Sequence, residues 1–381
     1  MKGAAVVVGV GESTYYKRGG ATESEFQLAC IAIRSAVEDA GLRMADVDGI
    51  VSYMERNEPV RLSAALGTGD LRWTAQTFGG GGNGAGAAVT LADAAISAGY
   101  AECVVAFRSL AQGQFHRYGQ AGRARGSRGV GAFTVPYGIS TPAQICAMQT
   151  TRFMHDHGVT QDSLAEVVLA AYAHAQRNPR AVRYGTPLTR EEYHASRWIA
   201  EPLHLYDCCM ENDGAAAIVM VAADRARDCR QKPAYLLGAA TGASHRFAAT
   251  AHNSPRYASA DFDTLAPDLF GMARVGPADV GSVQSYENFT GGVAMALAEH
   301  GFFAPGEANE FLTLANLTAP AGRLPLNTSG GNLAECYVLG FELIVEAVRQ
   351  VRGTSTSQAT RSDVALVIGG PMVAPASDLL L

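Results

Sequence analysis

Residues 79–99, GGGGNGAGAAVTLADAAISAG, run into the strand-like ECVVAF (102–107), and residues 328–353, TSGGNLAECYVLGFELIVEAVRQVRG, run into DVALVIGG (363–370). Each reads as a glycine-rich turn, a long helix and a buried strand. Upstream, AVEDAGLRMADVDGIVSYMERN (36–57) and LAPDLFGMARVGPADVGSVQSYENF (265–289) share a second cadence: a helix ending near Gly41 or Gly276, an Ala-Asp-Val step, and a strand closing in Ser-Tyr at Tyr53 or Tyr286. Two half-chain units of βαβ character predict a duplicated α/β architecture. The first unit is expected over 1–225 and the second over 226–381. Strands are expected at AAVVVGV, GIVSY, ECVVAF and AAAIVMVA in the first, and at AYLLGAA, SVQSY and VALVIGG in the second. The stretch 109–202 has no counterpart in the second half. It begins as a Gly/Arg-rich loop and continues as amphipathic helices near 143–156 and 161–176, an insertion suited to a lid or a ligand-binding region.

At 381 residues the chain exceeds a single core and has room for roughly two to three domains of about 100–200 residues. Hydrophobic residues make up 48% and charged residues 17%, a globular balance. No apolar run approaches the about 18 residues of a membrane span. Lys2 and Gly3 lead straight into AAVVVGV, too short and too weakly flanked by positive charge for a secretory signal, so a cytoplasmic location is expected. The net charge of −6 argues against a nucleic-acid partner. The seven cysteines include no CxxC spacing and are expected as buried, reduced thiols.

Several sharper readings fail on spacing. Gly79, Gly81 and Gly84 satisfy GxGxxG, but a βα unit precedes the turn, and the strand after the following helix ends at Arg108 rather than at an acid. No glycine turn carries the Lys-Ser or Lys-Thr of a phosphate loop. His155 and His157 stand two apart, so on a helix they face different ways. His174, His194 and His204 lack an acid or cysteine at metal-ligand spacing, and no metal site is expected.

The run 174–220 (HAQRNPRAVRYGTPLTREEYHASRWIAEPLHLYDCCMENDGAAAIVM) and the run 326–353 (LNTSGGNLAECYVLGFELIVEAVRQVRG) resemble the thiolase superfamily, and within it the sterol-carrier-protein-x thiolases and their non-condensing relatives. The resemblance covers nearly the whole chain. It implies the thiolase fold, two similar βαβ-rich halves in five layers, αβαβα, with the insertion in the first half. Thiolases of this family use a cysteine at a helix N-terminus, a histidine in a Gly-His-Pro step and a second cysteine before a glycine run. A helix N-terminus lowers a thiol pKa, and the imidazole and second thiol move protons. The first cysteine position falls at Asn83, or at Gly82. Counted from Gly330–Gly331, Gly-His-Pro becomes Cys336-Tyr337-Val338. Val367 stands where the second cysteine would be, and the family's Asn-Glu-Ala-Phe step reads Tyr286-Glu287-Asn288-Phe289. These replacements exclude ordinary thiolysis.

The pattern of two tyrosines, Tyr286 and Tyr337, resembles the steroid side-chain-cleaving aldolases on this fold. The resemblance implies retro-aldol cleavage of a β-hydroxyacyl-CoA with a tertiary hydroxyl, giving a ketone and propionyl-CoA. Tyr286 and Tyr337 would move the protons, in an order left open. Backbone N–H groups at Asn83, Gly84, Gly330 and Gly331 would hold the thioester enolate, with Asn288 a further substrate contact. Unassisted tyrosine titrates near 10, so a base role needs a lowered pKa or a hydrogen-bonded chain. Tyr337 is expected one turn inside the second long helix, and Tyr53 as the end of a core strand. Arg117, Arg123, Arg125 and Arg128 either hold CoA phosphates or form a solvated loop. No cofactor is expected beyond the CoA of the substrate. The resemblance further implies a homodimeric core and a zinc-ribbon/OB-fold partner protein that carries any zinc, together with an enoyl-CoA hydratase. Two other readings stand beside it: a non-catalytic acyl-CoA or lipid-binding scaffold of a hydratase complex, and a degenerate acyltransferase using Cys336 or another thiol.

Overall fold

The apolar run at the N-terminus forms β1 (Ala5–Glu12), fully buried but for its last residue, in a computed structural model that describes residues 5–53, 56–115, 129–245 and 256–381. β1 lies in a sheet with β2 (Tyr16–Lys17), β3 (Gly49–Tyr53), β4 (Trp73–Thr77), β5 (Cys103–Ala111), β8 (Asn212–Ala222) and β9 (Ala234–Tyr235), in the order β4-β3-β5-β8-β1-β9 with β2 alongside β8. β3, β4 and β5 run parallel; β8 is antiparallel to β5 and β1. A hairpin of β6 (Trp198–Ala200) and β7 (Leu203–His204) stands apart from it. The second sheet has the order β10-β13-β12-β11, from β10 (Gly238–Gly242), β11 (Ser282–Ser285), β12 (Ala365–Gly369) and β13 (Ala376–Leu380).

Helices complete five layers. α1 (Glu25–Ala40) and α2 (Pro59–Leu66) cover the outer face of the first sheet, where Gly9 and Gly11 bring β1 against α1 so closely that a Cβ would sit 2.1 Å from Ala36 O and 2.2 Å from Ala36 N, respectively. α3 (Asn83–Ser97) lies between the sheets, against β3, β4 and β5 on one side and β10, β12 and β13 on the other. In the insertion, α4 (Pro142–His157), α5 (Gln161–Ala175) and α6 (Arg190–Ala195) follow. α7 (Leu265–Ala273) packs on β10 and β13, while α8 (Thr290–Glu299) meets α4 and α5. After the single turns α9 (Ala308–Phe311) and α10 (Leu314–Leu317), α11 (Phe341–Arg352) enters the middle layer beside α3. A helix enclosed by two sheets needs small or apolar residues all round. In α3 that demand is met by Ala85, Ala88, Val89 and Ala92, and by Gly86, where a Cβ would stand 2.7 Å from Ser377 Oγ.

The αβαβα arrangement is that of the thiolase fold, as expected, but three local readings change. AYLLGAA is not one strand: Ala234–Tyr235 pairs with β1, and Gly238–Gly242 begins the second sheet. β4 and β13 were hidden, β4 because its half-exposed WTAQT lacks an apolar run and β13 because ASDLL carries a buried acid. The long helix expected from Gly331 starts only at Phe341. Gly331–Glu335 forms one wide turn, Cys336 is extended, and the left-handed Leu339 (φ 54°) and Gly340 (φ 94°) precede α11. Tyr337 therefore sits on a buried loop, not on a helix. Among the described residues, no helix is long and apolar enough to cross a membrane.

Candidate active site

Two helix starts meet one strand end. Gly82 (φ 84°) precedes α3 as Gly340 precedes α11, and both adopt backbone conformations that disfavour other residues. A Cβ on Gly82 would fall 2.3 Å from the ring of Tyr286, and one on Gly340 would be 3.5 Å from Gly82 O. Tyr286 follows β11 directly, its N–H bonded to Ile368 O at 2.8 Å, and its side chain is fully buried. The loop before α11 brings Tyr337 to it. The Tyr286 hydroxyl donates to the Tyr337 oxygen at 2.7 Å, with ring centroids 5.9 Å apart. Burial, and after it the Tyr337 phenol, hold the Tyr286 hydroxyl well above the ordinary tyrosine range. Tyr337 is 5% exposed, and its N–H donates to Asn212 Oδ1 at 2.6 Å.

Asn83, at the lost nucleophile position, is the first residue of α3, and Gly82 rather than Asn83 caps the helix. Its carboxamide is committed: Oδ1 accepts from the Tyr53 hydroxyl at 3.2 Å and Nδ2 donates to Pro375 O at 2.7 Å. The Tyr53 oxygen also accepts the Gly82 N–H at 3.1 Å, so this residue belongs to the site as well as to the core. Gly84 lies flat under the Tyr53 ring, where a Cβ would be 2.2 Å from it. Asn83 and Gly84 place their N–H groups in the first turn of α3, at the positive end of its dipole.

The Gly330–Gly331 turn is arranged differently from expectation. Gly330 N–H is bonded to Asn327 O at 2.9 Å, and the Glu287 carboxylate fills the turn, accepting Asn332 N–H at 2.9 Å. Its Oε2 would stand 1.9 Å from a Cβ on Gly331. The turn thus closes on the protein's own acid. Asn288 folds onto its neighbour, Oδ1 accepting Phe289 N–H at 3.0 Å. Val367 is buried on β12. Arg117, Arg123, Arg125 and Arg128 lie outside the described residues.

Sequence reasoning passed over a buried acid cluster behind Tyr337. Burial pushes Glu287 and Glu342 each up to about 8 and raises Glu335. The signal was available: Glu335, Glu342 and Glu346 interrupt a run destined for the middle layer, where a charge needs a dedicated partner. Cys336 is fully buried, and burial followed by the Glu342 and Glu335 charges holds its thiol well above the ordinary range, which opposes a nucleophilic role. All seven cysteines are free thiols. A cavity of about 770 Å3 opens behind this loop, lined by Glu12, Tyr15, Lys17, Arg180 and Arg349 among others, and neither Tyr286 nor Tyr337 borders it. His155 and His157 fall in the last turn of α4 and His194 pairs with Asp162 at 2.8 Å. Among the described residues, no group of three or more His, Cys, Asp or Glu side chains is set to hold a metal ion.

A family model for the thiolase C-terminal domain-like region matches residues 242–379. Over 389 aligned positions the chain is 39% identical to the steroid side-chain-cleaving aldolase of Thermomonospora curvata, covering 100% of this chain and 98% of that one. It is 38% identical to the 17-hydroxy-3-oxo-4-pregnene-20-carboxyl-CoA lyase of Mycobacterium tuberculosis, with 100% of both covered. Among solved structures, an Ltp2-ChsH2(DUF35) aldolase superposes with a TM-score of 0.92 at 36% identity, over 100% of this chain and 97% of that one. An acetyl-CoA acetyltransferase from Syntrophomonas wolfei, at a TM-score of 0.70 and 15% identity over 100% of this chain and 99% of its own, shares the fold.

Proposed function

The chain belongs to the thiolase-like family, in its branch of steroid side-chain-cleaving aldolases, and from that premise we propose that Tyr286 and Tyr337 are the acid–base pair of its retro-aldol reaction. It is a carbon–carbon lyase on a thiolase fold. The substrate is a steroid side-chain CoA thioester with a tertiary β-hydroxyl, and the products are a ring ketone and propionyl-CoA.

The observation that carries the site assignment is the 2.7 Å contact between the two phenols. Tyr286 is held neutral by burial, so a free phenolate is a poor resting base, and proton movement runs along the chain of two hydroxyls instead. Tyr337, the less buried of the two, takes the carbinol proton only as its own hydroxyl proton is released, because two neutral phenols relay a proton and do not store one. The Cα–Cβ bond then breaks, its electrons enter the thioester to form an enolate, and the ketone carbonyl forms. The phenolic proton released in that exchange passes to the α-carbon as the enolate develops and completes propionyl-CoA, so each tyrosine keeps one proton and the protein ends as it began. The first-turn N–H groups of α3 at Asn83 and Gly84 are the donors for the enolate oxygen. With Gly330 N–H bonded to Asn327 O and Glu287 seated in the Gly330–Gly331 turn, the main burden in this scheme falls on the α3 end.

No acyl-enzyme is formed in this scheme. Asn83 offers no nucleophile and the Cys336 thiol is held protonated. The likeness to an Ltp2-ChsH2(DUF35) aldolase supports assembly with a DUF35-type partner; in this proposal the partner is of the zinc-ribbon/OB-fold class and holds the zinc, and a hydratase supplies the hydroxyacyl substrate. The test is product analysis: the wild-type protein, coexpressed with such a partner, converts a tertiary β-hydroxyacyl-CoA to ketone and propionyl-CoA in equal amounts. Unchanged release by the Tyr286→Phe/Tyr337→Phe double variant would leave the protein a scaffold for chemistry done elsewhere.

A further inference from the structure

The two tyrosines stand on segments distant in sequence, the end of β11 and the loop before α11, and a contact of 2.7 Å between two hydroxyls demands that those segments be locked together. One side chain joins them. Asn332 Oδ1 accepts the N–H of Glu287, the residue after Tyr286, at 2.9 Å, while its own N–H donates to Glu287 Oε2 at 2.9 Å. Its Nδ2 donates to Glu342 Oε1 and to Cys336 O at 3.4 Å, the carbonyl that precedes Tyr337. Glu342 Oε2 then accepts Val338 N–H and Gly340 N–H, each at 3.1 Å, which fixes the other side of Tyr337. The Asn332 carbonyl accepts Met210 N–H at 3.1 Å, tying the cluster to the segment whose Asn212 receives Tyr337 N–H. Glu287, Asn332 and Glu342 have no solvent exposure.

Such a network costs desolvation and contributes little net stability compared with apolar packing. What it supplies is direction: each bond constrains a backbone group one or two residues from a reacting phenol. A carboxamide is suited to the centre because it both accepts from a backbone N–H and donates to a carboxyl.

We propose that Asn332 is a positioning residue for the tyrosine pair, its carboxamide fastening the strand end that carries Tyr286 to the loop that carries Tyr337 and so setting the contact between the phenols. The role rests on the reading of the two tyrosines as the acid–base pair. Asn332 touches neither phenol in the bonds described and acts through Glu287, Cys336 and Glu342.

A four-member cycle tests it on the full-length protein with a tertiary β-hydroxyacyl-CoA. Asn332→Ala lowers kcat by about 100-fold, the scale of an ångström-sized misplacement, with KM changed by less than about threefold. In a Tyr337→Phe background the same substitution lowers residual kcat by less than about threefold, because the contact it sets is already gone. An Asn332→Ala protein altered only in KM, or one whose loss multiplies in full with that of Tyr337→Phe, overturns the positioning role and leaves the tyrosine assignment standing. Full activity of Tyr337→Phe overturns the tyrosine assignment, and this role with it.

Asn332→Asp provides a second measurement if the alanine variant does not fold. The titratable groups bonded to Asn332 are the Glu287 and Glu342 carboxyls, and Glu335 and the thiols of Cys209 and Cys336 interact electrostatically with those carboxyls. A fourth acid among them can donate to Glu342 only while protonated. The variant's kcat relative to wild type therefore falls by at least about tenfold between about pH 6 and about pH 8.5. A ratio that stays flat across that range overturns the proposal.

Discussion

Tyr286 and Tyr337 are positions where one oxygen atom separates the residue from an isosteric hydrocarbon, and that atom carries the predicted chemistry. Either Tyr→Phe substitution alone is expected to lower kcat by about 100- to 10,000-fold, the range of a lost general acid or base, as read by propionyl-CoA release in steady state. A variant retaining a third of wild-type turnover would contradict the assignment. Gly82→Ala probes the opposite property, the space that the site requires. Its Cβ would enter the Tyr286 ring from a left-handed backbone (φ 84°), so we expect a loss of about 1–3 kcal/mol in urea unfolding together with reduced turnover. Tyr337 was legible because its count from Gly330–Gly331 needs no coordinates. The commitments of Asn83 to Tyr53 and Pro375 were not, since Pro375 lies 292 residues away in the chain.

Short elements around the site are held by single side chains whose partners are remote. Asp213, in the second position of β8, accepts Gly19 N–H and Gly113 N–H at 2.7 Å each and Ala21 N–H at 3.4 Å, joining two loops to the strand. Asp213→Ala leaves these donors unpaired, and we expect a loss of about 2–4 kcal/mol in chemical unfolding, larger than for a surface acid. Asp213→Asn, which retains an acceptor, should recover part of it. The same logic explains where element boundaries were misread. Hydrophobic periodicity sees ECYVLGFELIVEA as one continuous helix, because it cannot see that Glu342 caps α11 by bonding Gly340 N–H or that Asn332 ties Cys336 O into an extended conformation. It likewise reads AYLLGAA as one strand, although the run crosses from one sheet to the other.

At the scale of the molecule, burying several acids in one layer makes stability depend on pH in a defined direction. Glu287 and Glu342 are raised to about 8, against an unfolded value of about 4.3, so the folded chain retains protons that the unfolded chain has lost. Their contribution is complete below about pH 4.3 and disappears as pH rises through about 8. His174 acts oppositely: burial, then Arg177, lower it to about 4, and it bridges Asn327 O and Ala319 N–H. Its contribution is present above the unfolded value of about 6.5 and is lost as pH falls toward 4. Between about pH 6.5 and 8.5 the His174 contribution is constant while that of the carboxyls declines, so the urea midpoint should fall across that interval, and Glu342→Gln should reduce the fall. A midpoint that rises over this interval would contradict the protonation states assigned to the cluster.

The sequence by itself determined the architecture and the reaction class. A half-chain repeat is a local pattern written twice, and the residues at the lost thiolase positions are identified by counting along the chain. Tertiary structure alone decided which of those residues could still act. Whether the Gly330–Gly331 turn holds a ligand or the Glu287 carboxylate, whether two phenols stand at 2.7 Å, and what Asn332 connects all depend on segments that meet only when two sheets close on a shared pair of helices.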